Sequence, residues 1–134
     1  QSINEMSLVG SFDDTNEMEP WNPTSPLNLM NPLNPGCFER VIHLTAGKTY
    51  NYKYVGNRSP WALVYADYEL DCHGYDFSGS IPDAADPSKR SLKRFGQLTS
   101  HGNPPALEFT ATHSGQYRFY VDIIFGGYSI QPFR

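Results

Sequence analysis

The stretch Leu44-Thr45-Ala46-Gly47-Lys48-Thr49-Tyr50-Asn51-Tyr52-Lys53-Tyr54-Val55 puts a tight turn, Thr45 to Lys48, ahead of a run in which aromatic and polar residues alternate. Successive side chains of a strand point to opposite faces, so Tyr50, Tyr52 and Tyr54 share one face while Asn51, Lys53 and Val55 share the other. The same period returns near the C-terminus, where Tyr117, Phe119, Val121 and Ile123 alternate with Arg118, Tyr120 and Asp122. Two amphipathic strands of this kind need a second apolar layer to cover them, which is the requirement of a two-sheet sandwich.

Working outward, Met6 to Gly10 reads as a strand, as do Phe38 to Leu44, Trp61 to Leu70, Ala106 to Thr110 and Tyr128 to Pro132. Turns are expected at His113 to Gly115 and at Gly126-Gly127. Five prolines between Pro20 and Pro35 exclude both helix and central strand, leaving a long stiffened loop that carries Trp21. Residues 82–102 have no sustained period and read as an irregular excursion. About seven short strands and no helix of ordinary length define an all-β chain, a two-sheet immunoglobulin-like (early-set) β-sandwich. The apolar phases of its strands assign Phe38, Ile42, Leu44, Tyr52, Phe109, Tyr117, Phe119 and Val121 to the core.

The 134 residues suit one domain, 1–134. An aromatic content of 14% favours sheet surfaces over helix, and a net charge of -4 gives no electrostatic reason to bind nucleic acid or an anionic membrane. No run is long and apolar enough to span a bilayer. Cys37 and Cys72 are too few for a zinc site; either they are free thiols or they form one disulfide, and an exported chain favours the disulfide. The sequon Asn57-Arg58-Ser59 is followed by Pro60, which weakens it as a glycan acceptor.

The chain offers little for catalysis. His43, His73, His101 and His113 belong to no nucleophile elbow, zinc motif or phosphate loop, and adjacent Cys72 and His73 on a strand would point apart. No facing carboxylate pair can be named for glycoside hydrolysis. No catalytic residue, metal ligand or cofactor is therefore assigned. Binding is better served. An aromatic ring covers the C–H face of a sugar while nearby polar groups bind the hydroxyls, and Trp21 and Trp61, each beside proline, suit such a platform.

Several of these segments together resemble the glycogen- and starch-binding early-set modules found on branching and debranching enzymes, on the β subunit of AMP-activated kinase and in outer-membrane starch-binding lipoproteins. The resemblance lies in Leu8-Val9-Gly10-Ser11-Phe12-Asp13-Asp14, a later Trp, Gly36-Cys37-Phe38-Glu39, the Leu44 to Tyr54 stretch and Trp61. Toward the C-terminus it continues in Gly102-Asn103, in Ser114 to Asp122 and in Tyr128-Ser129-Ile130. It implies a module without activity of its own that binds a polysaccharide or oligosaccharide, with Trp21 and Trp61 as the platform and Lys53 and Asn103 on the hydroxyls. An extracellular or cell-surface setting is expected as well, together with association with a glucan-acting enzyme, neighbouring modules or copies of itself. The competing expectation is a structural or adhesive sandwich whose aromatics serve protein assembly.

Overall fold

The structure is a computed structural model that describes residues 3–61, 63–67, 96–99, 106–124 and 127–133. The alternation of aromatic and polar residues becomes β4, Thr49–Gly56, and β8, Gly115–Asp122. Around them run β1 (Met6–Gly10), β2 (Asn31–Pro32), β3 (Cys37–Leu44), β5 (Val64–Asp67), β6 (Gly96–Thr99), β7 (Leu107–Thr110) and β9 (Gly127–Pro132). A single 3-10 turn, Pro26–Asn28, is the helical content among the described residues. None of their helices is long and apolar enough to cross a membrane.

One antiparallel layer is built on β4, with β1 on one edge and β5 and β7 sharing the other. The second is built on β8, with β3 and then β2 on one side and β9 followed by β6 on the other. Pairing of Ala66 with Thr99 and of Asp67 with Leu98 joins the layers through β5 and β6. The expected all-β sandwich is thus the observed one. Its interior is aromatic. Tyr50, Tyr52 and Tyr54 are fully buried, and Tyr52 meets Phe119 of the opposite layer edge to face with ring centroids 5.3 Å apart. Phe12 stacks on Tyr50 at 5.5 Å and touches Phe119 edge-on at 5.7 Å. Seven of the eight expected core residues are buried, and the eighth, Phe109, packs half-buried against them.

Two expectations need correction. The strand expected over Trp61 to Leu70 starts only at Val64, because the chain first passes through a left-handed turn and Pro60, so Trp61 sits in a loop. The excursion expected over 82–102 contains β6, whose pairing to β5 and β9 comes from tertiary context that its own residues do not announce. Cys37 is a buried free cysteine, and its expected disulfide partner Cys72 lies outside the described residues.

The Thr45 to Lys48 turn is tied down by charge. Lys48 pairs with Asp13 and lies 3.8 Å from Asp14, whose carboxylate accepts from the Tyr50 hydroxyl at 2.6 Å and from the Thr45 hydroxyl at 2.8 Å. Burial raises the Asp14 pKa, but the hydrogen bonds from Tyr50 and Thr45 outweigh it and hold the carboxyl below its ordinary 3.8. A carboxyl lowered in the folded state stabilises the fold above its unfolded value and loses that contribution as pH falls through its folded one. Asp14→Asn should therefore reduce stability at neutral pH and leave it nearly unchanged at pH values below both, as urea titrations at a series of pH values would show. Phe119→Ala should cost about 3 to 5 kcal/mol, because its void cannot close between two packed sheets. A loss under about 1 kcal/mol would mean that the layers do not meet through this ring.

Candidate functional site

Alternation along β1 and β4 leaves an outward face as well as an inward one. Directly opposed residues on antiparallel strands share a face, so Ser7 with Val55 and Val9 with Lys53 point outward. Val9 and Val55 nevertheless have no exposure and, with Val64, form a small cluster separate from the main core. The outward face of this layer is thus covered in part, and Trp21 and Trp61 project from loops that adjoin it.

Trp21 enters from the proline-rich segment. Its backbone N–H donates to the Gly10 carbonyl at 2.9 Å, which pins it to the end of β1. Gly10 must be glycine here: a Cβ would strike the Asn51 carbonyl and come within 2.7 Å of the Tyr52 Cβ. Behind Trp21 the loop folds around Asn28, a fully buried amide. Asn28 Oδ1 accepts from the Glu19 N–H at 2.8 Å, while its Nδ2 donates to the Glu19 carbonyl at 2.7 Å and to the Asn22 carbonyl at 2.8 Å. The Arg40 guanidinium, from β3, donates to the carbonyls of Leu27 at 2.6 Å, Leu29 at 2.7 Å and Glu17 at 2.9 Å. Burial lowers the Arg40 pKa below its ordinary value, yet these three carbonyls occupy a group that stays protonated. Asn22-Pro23-Thr24 closes an Asx turn and Ser25 caps the 3-10 turn, so proline and side-chain caps hold the loop in one shape.

Trp61 enters from the β4–β5 hairpin. Ser59 N–H donates to the Gly56 carbonyl at 3.1 Å across Asn57 and Arg58, both with left-handed φ, which is a type I′ turn. The Trp61 N–H then donates to the Ser59 carbonyl at 2.7 Å across Pro60, and the Leu63 N–H to the Ser59 hydroxyl at 3.0 Å. The Asn57 side-chain oxygen accepts from the backbone of Asn4 and Glu5 at 2.8 and 3.2 Å, and Arg58 pairs with Glu5 at 3.3 Å. The hairpin is thereby fastened to the start of β1.

The two indoles meet. Their ring centroids are 6.4 Å apart with an interplanar angle of 42°, and they are 40% and 45% exposed. Both residues have left-handed backbone, with φ of 54° for Trp21 and 61° for Trp61. That conformation costs an L-residue roughly 1 to 2 kcal/mol, and at a bulky aromatic it points to a requirement on the side chain rather than on the turn. Lys53 lies half-buried on the outward face opposite Val9, the residue preceding the glycine that anchors Trp21. The structure therefore brings together Trp21 and Trp61 and sets Lys53 on the bordering strand face; Asn103 lies outside the described residues. Among the described residues no group of three His, Cys, Asp or Glu side chains is arranged to hold a metal ion.

What the sequence did not disclose is the scaffold. The turn chemistry of Asn22-Pro23 and Ser25-Pro26 is visible in the chain, but nothing local marks Asn28 or Arg40 as the groups that hold the loop. Left-handed backbone at both tryptophans likewise has no mark in the sequence. It makes an unusual ordering measurable. Trp61→Gly should be more stable than Trp61→Ala by about 1 kcal/mol, since only glycine is at ease at this φ. Urea denaturation of the pair would decide it, and equal or reversed stabilities would show that the backbone is not held left-handed.

No protein-family model and no curated protein matches the chain. Among solved structures it is similar to one described as the ligand-induced structure of AmyP-SBD, a starch-binding domain, with a TM-score of 0.53 and 14% identity over 98% of this chain and 73% of that one. A likeness at this identity is one of fold: the chain has the β-sandwich architecture of a starch-binding domain.

Proposed function

We propose that this chain is a non-catalytic glycan-binding module, acting outside the cell or at its surface, that takes an α-glucan of the starch or glycogen type against Trp21 and Trp61. The observation that carries the reading is the convergence of two part-exposed indoles from separate loops, each on backbone that disfavours a tryptophan. Apart from function, an exposed strained aromatic has little to recommend it. Indole faces cover the C–H patches of sugar rings, and a pre-formed loop loses less conformational freedom on binding than a mobile one. The tilt of 42° between the rings suits a chain whose successive sugars turn with respect to one another, as α-linked glucose does, better than a flat β-linked ribbon. Lys53 and Asn103 would bind hydroxyl groups beside the rings. The fold it shares with a starch-binding domain supports the same reading.

Affinity electrophoresis on amylose, glycogen, cellulose and chitin tests it. Retardation is expected on the two α-glucans. Trp21→Ala and Trp61→Ala should each weaken binding by about 1 to 3 kcal/mol, and Lys53→Ala by less, because it removes hydroxyl contacts at the edge of the platform and leaves both stacking rings in place. Trp61→Tyr, which keeps a ring, should fall between, and melting curves run alongside separate lost affinity from lost fold. Wild-type mobility unchanged in all four gels, or variants that bind as the parent does, would refute the assignment. Self-association abolished by the same alanine variants would instead favour an assembly role for the patch.

A further inference from the structure

A cavity of about 300 Å³ lies at the far end of the sandwich, between the turn that precedes β8 and the end of β9. Six side chains shape it: His113, Ser114, Gln116, Tyr117, Pro132 and Phe133. Its walls are fixed by local bonding. The Tyr117 hydroxyl accepts from the His113 N–H at 3.1 Å and donates to the His113 carbonyl at 2.9 Å, so it forms a floor with no hydrogen left to donate. The Phe133 N–H donates to the Gln116 carbonyl at 2.9 Å, which holds the chain beyond β9 alongside β8. Phe133 is nevertheless 48% exposed, a large ring kept at the rim instead of in the core.

The polar groups at the rim retain bonding capacity. Ser114 Oγ accepts from the Ala46 N–H at 2.8 Å and keeps its own hydrogen to donate. His113 Nδ1 is engaged by the Thr112 hydroxyl at 3.0 Å, which leaves Nε2 as the second polar atom of the ring. Gln116 adds an exposed amide with two donors and an acceptor. No Asp, Glu, Lys or Arg is among the described lining residues. Among the described lining residues, apolar rings face neutral donors and acceptors, a combination that matches a molecule with one C–H face and a rim of hydroxyls.

We propose that this cavity is a second carbohydrate subsite that seats one neutral sugar ring, with Phe133 and Pro132 against its C–H face and His113, Ser114 and Gln116 on its hydroxyls. It adjoins the β3–β4 turn through the Ser114 to Ala46 bond, whereas Trp61 follows the other end of β4. Eight strand residues separate those ends by about 25 Å, so one long glucan or two neighbouring chains could engage both positions, raising avidity for polymer over short oligomers. The proposal extends the glycan-binding reading and uses none of the residues on which that reading stands.

Titrating maltotriose into 15N-labelled protein and following backbone amides and both indole N–H signals tests the two readings separately. Saturable shifts are expected at His113 to Tyr117 and Phe133 as well as at Trp21 and Trp61. Phe133→Ala should remove the first set and spare the second, its dispersed spectrum certifying the fold. Shifts confined to the tryptophans would overturn the second subsite and leave the first reading intact. Shifts confined to the cavity would uphold the subsite and overturn the tryptophan platform, and the absence of any shift would overturn both.

Discussion

Tyr52 and Phe119 touch edge to face between the layers, and the position of the candidate site depends on that contact. Burial of three tyrosines from one face of β4 fixes the phase of the strand, and the phase sends Lys53 to the opposite face. A slip of one residue would exchange the two sets, placing an ammonium in the core and phenols in water. The same ring cluster sets β1 through Phe12, and β1 delivers the Gly10 carbonyl that receives the Trp21 amide. Core packing and site geometry are therefore one arrangement seen from two faces.

The loops show how an unfavourable backbone is sustained. Left-handed φ at Trp21 and Trp61 would relax in a free loop, so each must be over-determined by its surroundings. At Trp21 the determinants are Asn28 and Arg40, six hydrogen bonds to the loop backbone from two side chains, together with the prolines. At Trp61 they are the I′ turn and the attachment of Asn57 and Arg58 to the start of β1. Asn57 uses its side-chain oxygen for this purpose, so the residue that opens the sequon has a structural task in the fold.

Strand phase was legible in the chain because it is a local property with a period of two: Tyr50 to Val55 and Tyr117 to Ile123 announce it residue by residue. The tryptophans were legible as candidates through their proline neighbours, and the resemblance to glycogen- and starch-binding modules picked out Lys53 beside them. What escaped notice depends on partners remote in sequence. Gly96 to Thr99 pairs because β5 and β9 present free edges to it, and Arg40 matters only because the chain brings Leu27, Leu29 and Glu17 to it. The cavity joins residues 113–117 to 132–133, which are neighbours only once β8 and β9 have paired.

Trp21 and Trp61 are the two tryptophans of the chain, so its intrinsic fluorescence above the tyrosine range comes from the proposed platform alone. A fluorescence titration with maltoheptaose, with cellohexaose as the flat-chain control, is the most direct test. A saturable change in tryptophan emission with maltoheptaose in the micromolar to millimolar range, absent with cellohexaose, is the predicted result. Emission unchanged by maltoheptaose up to about 10 mM, some 2.7 kcal/mol weaker than a 0.1 mM site, would contradict the account.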